Sequence, residues 1–133
     1  MHLIRTLLAL AVPSAVALCA ATPALAAKGE LIDIAWSPDG SFGRDVRVAP
    51  SKFVEVCGRL SAGTAVAWRF ESAARLDFNV HFHEGKDVRY PARQSKVAKA
   101  TGTLDAPVDQ DYCWMWTNPT AGEATLNFTL QKR

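Results

Sequence analysis

Apolar side chains recur at every second position along most of the chain beyond residue 30, which is the pattern of half-buried β-strands. The clearest case is the segment 77–83, where Phe78, Val80 and Phe82 fall on one face and polar residues fall on the other. No segment in this region repeats its apolar residues with the period of a helix. The pattern therefore predicts an all-β domain.

These alternating segments are separated by sequences that favour turns. The segments span residues 32–36, 54–57, 66–71, 77–83, 88–90, 112–117 and 125–130, the turns span 37–40, 84–87 and 118–122, and residues 95–103 are ambiguous. Many short strands must bury their apolar faces against each other. We therefore expect an antiparallel β-sandwich of about seven or eight strands, jelly-roll or immunoglobulin-like in appearance, with a small closed barrel as the alternative.

Residues 1–26 differ from the rest of the chain and have the features of a cleavable signal peptide. His2 and Arg5 make a short basic start, residues 7–18 are almost entirely apolar, and Ala24-Leu25-Ala26 has the small-x-small pattern of a cleavage site. A membrane span needs roughly 20 apolar residues, and prolines interrupt or bound this run. We expect residues 27–133 to be exported as one domain, and an intact mass lacking the leader tests this.

Cleavage at this site would remove Cys19 and leave Cys57 and Cys113. An even pair of cysteines in an exported protein favours a disulfide, and two free thiols, including metal-ligating ones, are the alternative. Cys19 lies where a bacterial lipoprotein would be lipidated, but Leu18 is larger than the residue found before such a cysteine. We therefore expect a disulfide and no lipid anchor.

The charge balance disfavours a strongly charged class of partner. The chain has 15 Lys and Arg against 13 Asp and Glu, a formal net charge of +2 at pH 7. Arg89, Arg93, Lys96 and Lys99 form a modest basic cluster that we expect to lie on a solvated loop or strand edge without stacking aromatics. We therefore expect no nucleic-acid partner.

The chain from residue 57 to residue 130 carries a set of residues that resembles a known family. The set comprises Cys57, residues 63–70, residues 77–80, Gly102, residues 112–118, Leu126 and Phe128, and its strongest part is Tyr-Cys-x-x-x-x-Asn before the last strand. It resembles the GOLD (Golgi dynamics) domain, a β-sandwich of cargo receptors in the early secretory pathway and of some lipid-binding proteins. The resemblance implies a module that binds a protein or lipid partner, with Cys57 bonded to Cys113.

The cargo receptors continue from this domain into a coiled coil, a membrane span and a cytoplasmic tail, whereas this chain stops at Arg133. Receptor function in vesicle transport is therefore not expected, and a fold alone does not fix a ligand. The Ala- and Arg-rich composition and the plain signal peptide favour a bacterial periplasmic protein.

Sequence motifs of the common enzyme classes are missing from the chain. It has no Gly-x-Ser-x-Gly elbow, His-Glu-x-x-His helix, phosphate-binding loop or dinucleotide fingerprint. A cysteine beside a histidine could act as a nucleophile, but a sulfur in a disulfide cannot attack. Asp109 and Asp111 are expected to be solvated loop acids. We therefore expect no catalytic activity.

The sequence His81-Phe82-His83 is the strongest candidate for metal chemistry. Residues two apart in a strand project from the same face, so both imidazoles could hold one Cu or Zn ion. Met115 is the expected third ligand, and an acid at 77 or 84 could add an oxygen. The alternative is that both imidazoles are solvated on an outer sheet face.

Tyr112, Trp114 and Trp116 share one face of the strand at 112–117. Packing in the core is the default expectation for such large side chains, and an outward-facing platform for a partner is the alternative. Taken together, these features predict an exported, non-enzymatic module that binds a protein or lipid partner. A periplasmic metal-binding protein that uses His81 and His83 is the alternative, and convergence of these residues with Met115 would favour it.

Overall fold

The computed structural model describes residues 29–133, so the expected signal peptide and Cys19 lie outside the described residues. Within 29–133 the chain forms seven strands and no helix, so no helix in this part could cross a membrane. The strands are β1 (Glu30–Asp33), β2 (Ser41–Val48), β3 (Phe53–Leu60), β4 (Ala65–Glu84), β5 (Asp87–Asp105), β6 (Gln110–Thr117) and β7 (Ala124–Lys132). The all-β prediction and the expected number of strands are confirmed.

All seven strands belong to one mixed sheet. The order is β1-β3-β6-β4-β7-β2, and β5 pairs with β4. Strand β1 runs parallel to β3, whereas every other pair is antiparallel. Strands β4 and β5 form a long hairpin whose turn contains Gly85 at a φ of 59°, a conformation that glycine adopts without steric cost.

Strand β4 changes partner halfway along its length, and this change curls the sheet. Residues 66–72 pair with β7, whereas residues 77–82 pair with β6. Between these segments the register with β5 shifts, and Lys96 takes the left-handed region at a φ of 54°. The carboxylate of Asp77 accepts a hydrogen bond of 2.9 Å from the Lys96 backbone N–H. This β-bulge bends the long hairpin, as bulges generally do.

The expected antiparallel sandwich is wrong in its detail, because the structure is a curled mixed sheet that resembles a half-barrel. The segments predicted as strands at 66–71 and 77–83 are two halves of the single strand β4. The short partner expected at 88–90 and the ambiguous residues 95–103 are likewise parts of β5. Because these two strands run continuously through the bend, the two layers of a sandwich are joined into one sheet.

Strand β2 had no counterpart among the predicted segments. Its sequence, Ser-Phe-Gly-Arg-Asp-Val-Arg-Val, interrupts the alternation with a glycine and adjacent charges. It pairs with β7 over its whole length, from Ser41 opposite Gln131 to Val48 opposite Ala124. Pairing with a neighbour that is distant in sequence, rather than local pattern, therefore determines this strand.

The core lies on the inner side of the curl, where both halves of the sheet meet. The rings of Trp116 on β6 and Phe128 on β7 are 4.9 Å apart between centroids, although these strands are not neighbours. Phe78 contacts Trp68 at 4.7 Å and Trp116 at 5.4 Å. Gly102 lies directly beneath the ring of Trp68, where a larger residue would collide with it. Aromatic side chains from both halves therefore hold the curl closed.

Candidate functional site

The outer surface of β3, β6 and the second half of β4 carries most of the residues that the sequence singles out. The sheet register places Cys57, Cys113 and His81 in one row across the three strands. It places Glu55, Met115 and Asn79 in the next row. We call these six residues the disulfide face.

Cys57 and Cys113 form a disulfide, as predicted. They are directly opposite each other on the neighbouring antiparallel strands β3 and β6, with Cα atoms 4.1 Å apart. The bond therefore links two strands that the backbone hydrogen bonds of the sheet already hold together.

His81 is buried on this face, with only 7% of its surface exposed, whereas His83 is exposed. The His81 Nε2 atom lies 3.0 Å from Oε1 of Glu55, which reaches across β6 from β3. Its Nδ1 atom lies 2.7 Å from Oδ1 of Asn79. Both nitrogens of the ring therefore face oxygen atoms.

Burial lowers the pKa of His81 below its ordinary value of 6.5, because loss of water around the ring disfavours its charged form. The negative charge of Glu55 opposes this shift, and His83 adds to it. A neutral ring carries one N–H and satisfies only one of the two oxygens. The second nitrogen then faces its oxygen with no hydrogen between them, unless the Asn79 amide turns to donate its own N–H or a proton or metal ion lies between the two atoms.

The structure brings together only part of the expected metal-ligand set. The rings of His81 and His83 are 5.4 Å apart between centroids, and Met115 lies on the neighbouring strand of the same face. The ligand atoms that lie within 4.8 Å of one another belong instead to Glu55, His81 and Cys113. Asp77 and Glu84, the expected sources of an oxygen, bond to Lys96 and Arg89.

Glu55 is a member of this site that the sequence prediction missed. It precedes Cys57 by two residues, so both side chains lie on the same face of β3. The disulfide sets the register of β3 against β6 and places Glu55 opposite Met115. It does not set the register of β4 against β6, so the sequence carried no signal that would bring Glu55 to His81.

Tyr112, Trp114 and Trp116 do not form the partner-binding platform considered for them. All three are buried in the core, with at most 1% of their surface exposed. They lie on the side of β6 that faces the inside of the curl, so core packing, the default expectation, describes them. The hydroxyl of Tyr112 instead bonds to both backbone groups of Val108, at 2.8 and 3.2 Å.

That contact fixes one side of a shallow, open groove at the hairpin end of the sheet, which Glu84, Arg89 and Asp105 line together with apolar residues. The groove has a volume of about 490 Å³. Tyr90 and Val108 line it and are among the exposed large hydrophobic residues, at 45% and 36%. We call Tyr90, Pro91, Pro107 and Val108 the hairpin patch.

The basic cluster of β5 borders the hairpin patch. The guanidinium carbon of Arg93 lies 3.9 Å from the ring centre of Tyr90, so the expectation that no aromatic stacks on this cluster was wrong. Arg89 pairs with Glu84, with its Nε 2.8 Å from the carboxylate. An exposed aromatic ring with an arginine held against it has the composition of a protein-binding surface.

Comparison with known proteins shows what this fold is similar to. No family model matches the chain, and no curated protein matches it in sequence. The expected GOLD membership therefore stays a prediction. Among solved structures, PliG from Aeromonas hydrophila, a periplasmic lysozyme inhibitor of g-type lysozyme, is similar with a TM-score of 0.64 at 11% identity, over 80% of this chain and 98% of that chain.

Two further structures are similar over the same share of the chain. PliG from Salmonella Typhimurium, described in the same words, matches with a TM-score of 0.55 at 13% identity, over 80% of this chain and 100% of its own. The pre-peptidase C-terminal domain of a Bacillus anthracis collagenase matches with a TM-score of 0.52 at 10% identity, over 80% of this chain and 98% of its own. At these identities, the likeness shows a shared fold.

Proposed function

We propose that this protein is an exported, non-enzymatic module that binds a protein partner, and that the partner is a lysozyme of the g type. The observation that carries the proposal is the likeness to PliG inhibitors, which extends over 98% or more of each inhibitor chain. The expected signal peptide agrees with the periplasmic location that is stated for those proteins. The partner is a protein, rather than the lipid that the GOLD resemblance also allowed.

The hairpin patch is the surface that we assign to this interaction. Tyr90 is an exposed ring, and the Tyr112 hydroxyl holds Val108 in place, so little conformational freedom is lost on binding. Tyrosine and arginine are the residue types that often dominate binding energy at interfaces. Lysozymes are glycoside hydrolases whose cleft carries catalytic carboxyl groups, so the positive charge of Arg93 complements such a cleft.

The disulfide supports the absence of catalysis in this proposal. Cys113 lies beside His81, and a free thiol there would resemble a nucleophile with its base. Its sulfur is bonded to Cys57, however, and cannot attack a substrate. The module therefore acts by occupying its partner.

The proposal is tested by adding the purified domain to a g-type lysozyme and following lysis of a peptidoglycan suspension. We expect slower lysis and a measurable heat of binding in calorimetry, with no effect on a c-type lysozyme. Tyr90→Ala combined with Val108→Ser should weaken binding at least about tenfold, since residues that dominate interface energy contribute about 2 kcal/mol or more each. Undiminished lysis at saturating excess, with no heat of binding, would contradict the lysozyme partner.

A matched control uses the outer surface of the other half of the sheet. Thr101→Ala combined with Thr129→Ala removes two polar side chains beside Arg69, far along β4 from the hairpin turn. This variant should inhibit lysis as well as the unaltered protein does. If it lost binding while the patch variant kept it, the partner would dock on that other surface.

A further inference from the structure

The disulfide face holds more ligand chemistry than protein binding requires. Atoms of Glu55, His81 and Cys113 that can ligate a metal lie within 4.8 Å of one another, and Cys57 is bonded to Cys113 in the same row. In the disulfide form these four residues offer one nitrogen and one carboxylate, because a disulfide sulfur is not a thiolate. Reduction would add two sulfur ligands to the two that are already adjacent.

We propose that the reduced protein binds a Zn²⁺-like divalent cation through Cys57, Cys113, His81 and Glu55, and that the disulfide closes this site. The site shares no residue with the hairpin patch assigned to lysozyme binding, although the rings of His81 and Tyr90 lie 6.0 Å apart between centroids. It also differs from the ligand set expected from the sequence, which relied on His83 and Met115.

The geometry suits a tetrahedral ion without movement of the backbone. Metal–ligand bonds of about 2.0–2.3 Å place the ligand atoms of a tetrahedral site about 3.3–3.8 Å apart. The Glu55 oxygen and the His81 nitrogen are already 3.0 Å apart, and Cys113 lies directly opposite His81 on the neighbouring strand. The sulfur of Cys57 is outside this group and must turn towards it once the bond to Cys113 is broken.

The environment of His81 provides an independent argument for a cation at this position. Metal-bound histidines usually donate their other ring N–H to an oxygen, which fixes the ring. Asn79 Oδ1, at 2.7 Å from Nδ1, is in the position to accept that hydrogen bond. The Nε2 lone pair then faces the Glu55 carboxylate, and a cation between the two satisfies both.

The opening step is a thiol–disulfide exchange. A dithiol reductant supplies two electrons and two protons, the bond between Cys57 and Cys113 breaks to give two thiols, and the reductant becomes a disulfide. The cation then binds two thiolates, and their two protons pass to solvent. Because the ion binds only the reduced form, it shifts the exchange towards reduction.

Cobalt(II) is a suitable probe, because thiolate ligands give it strong charge-transfer absorption and a tetrahedral site gives it intense visible bands. We expect both signals when Co²⁺ is added to protein reduced with dithiothreitol and desalted anaerobically, and loss of both when Zn²⁺ displaces it. The disulfide form should show neither. Glu55→Gln and His81→Ala should each weaken binding by at least about tenfold, as removal of even supporting groups does at metal sites.

The matched control is His83→Ala combined with Met115→Leu, which should leave the cobalt spectrum of the reduced protein unchanged. Three outcomes would overturn the proposal. One is a reduced protein that binds no more tightly than the disulfide form. Another is a reduced protein whose near-ultraviolet circular dichroism collapses and is not restored by the ion. The third is binding by the disulfide form that the control variant abolishes, which would support the His81, His83 and Met115 set.

Discussion

The two halves of β4 have equivalent inner faces and contrasting outer faces. Val66, Trp68 and Phe70 are buried in the first half, and Phe78, Val80 and Phe82 are buried in the second. On the outer side, Arg69 and Glu71 are exposed, whereas Asn79 is half-buried and His81 is buried. One strand therefore presents a solvated polar surface at one end and a covered polar cluster at the other.

The neighbouring strands cause this difference. Beside the first half, the residues opposite Arg69 are Thr101 on β5 and Thr129 on β7, and Arg69 only donates a hydrogen bond of 2.7 Å to Thr129. Beside the second half, β6 contributes Cys113 and Met115, and Glu55 extends across from β3. The comparison shows that alternation determines which side of a strand faces the core, whereas distant partners determine whether its other side is covered.

Removing the disulfide should have the largest effect on this contrast, because the bond lies only on the covered side. Cys57→Ala combined with Cys113→Ala should lower the free energy of unfolding by about 4 kcal/mol, the chain-entropy value for a separation of 56 residues. Urea denaturation measures the change. Met115→Leu, a volume-conserving change on the same face, is the control and should cost less than about 1.5 kcal/mol. A loss of under about 1 kcal/mol in the double variant would contradict the prediction.

Substitution of Gly102 tests the packing on the inner side of the first half of β4. In Gly102→Ala the added Cβ would lie about 2.3 Å from the buried ring of Trp68, so the ring or the backbone must shift. Such overpacking should destabilise the protein by about 1–3 kcal/mol, measured by thermal and urea unfolding. Gly122→Ala is the control, because nothing lies within 4 Å of its Cβ position, and it should change stability by less than about 0.5 kcal/mol. Equal stability of the two variants would show that Trp68 repacks freely.

The inner faces of β4 could be predicted from the sequence, because alternation with a period of two depends only on local pattern. The continuity of β4 could not. The apolar alternation weakens at Ser72, Ala73 and Ala74, and such a stretch looks the same whether the chain turns away or continues through a bulge. The parallel pairing of β1, which overlaps the segment predicted at 32–36, and the edge strand β2 were missed for a related reason, since partners distant in sequence specify both.

For the candidate site, the sequence correctly placed His81 and His83 on one outer face and paired the cysteines. It did not predict that His81 would be buried, because the covering group, Glu55, comes from a strand two positions away in the sheet. Nor could it locate the hairpin patch, which joins the start of β5 to the loop before β6. Contacts of this kind depend on the register between strands, which no local pattern encodes.

The covered cluster should also give the protein a pH dependence that the exposed half lacks. The pKa of His81 is lowered in the folded state, so below about pH 6.5 this imidazole binds a proton more readily in the unfolded chain than in the folded one. The free energy of unfolding should therefore fall as the pH drops below that value and reach a plateau above it. Urea denaturation at several pH values between about pH 5 and pH 8 measures how steeply the free energy of unfolding changes with pH. His81→Gln should reduce this slope.

The matched control is His83→Gln, which should keep most of the slope because His83 is exposed. Hydrogen bonds from Ser37 and Ser41 lower the pKa of Asp39 to about 2, so this carboxylate affects stability only at much lower pH. A slope that survives in His81→Gln would show that another group causes the pH dependence. A slope of opposite sign would show that attraction to Glu55 outweighs burial.

The smallest effect is expected for Arg69→Ala on the exposed outer side of the first half. Arg69 makes one side-chain hydrogen bond, to Thr129, and its exposed surface leaves that bond in competition with water. Its loss should change the free energy of unfolding by less than about 0.5 kcal/mol and leave inhibition of lysozyme unaltered. Urea denaturation and the lysis assay measure both quantities. A loss of more than about 1 kcal/mol in the free energy of unfolding would mean that the outer side of the first half of β4 also stabilises the fold. The two halves of β4 would then differ in exposure and not in their contribution to stability.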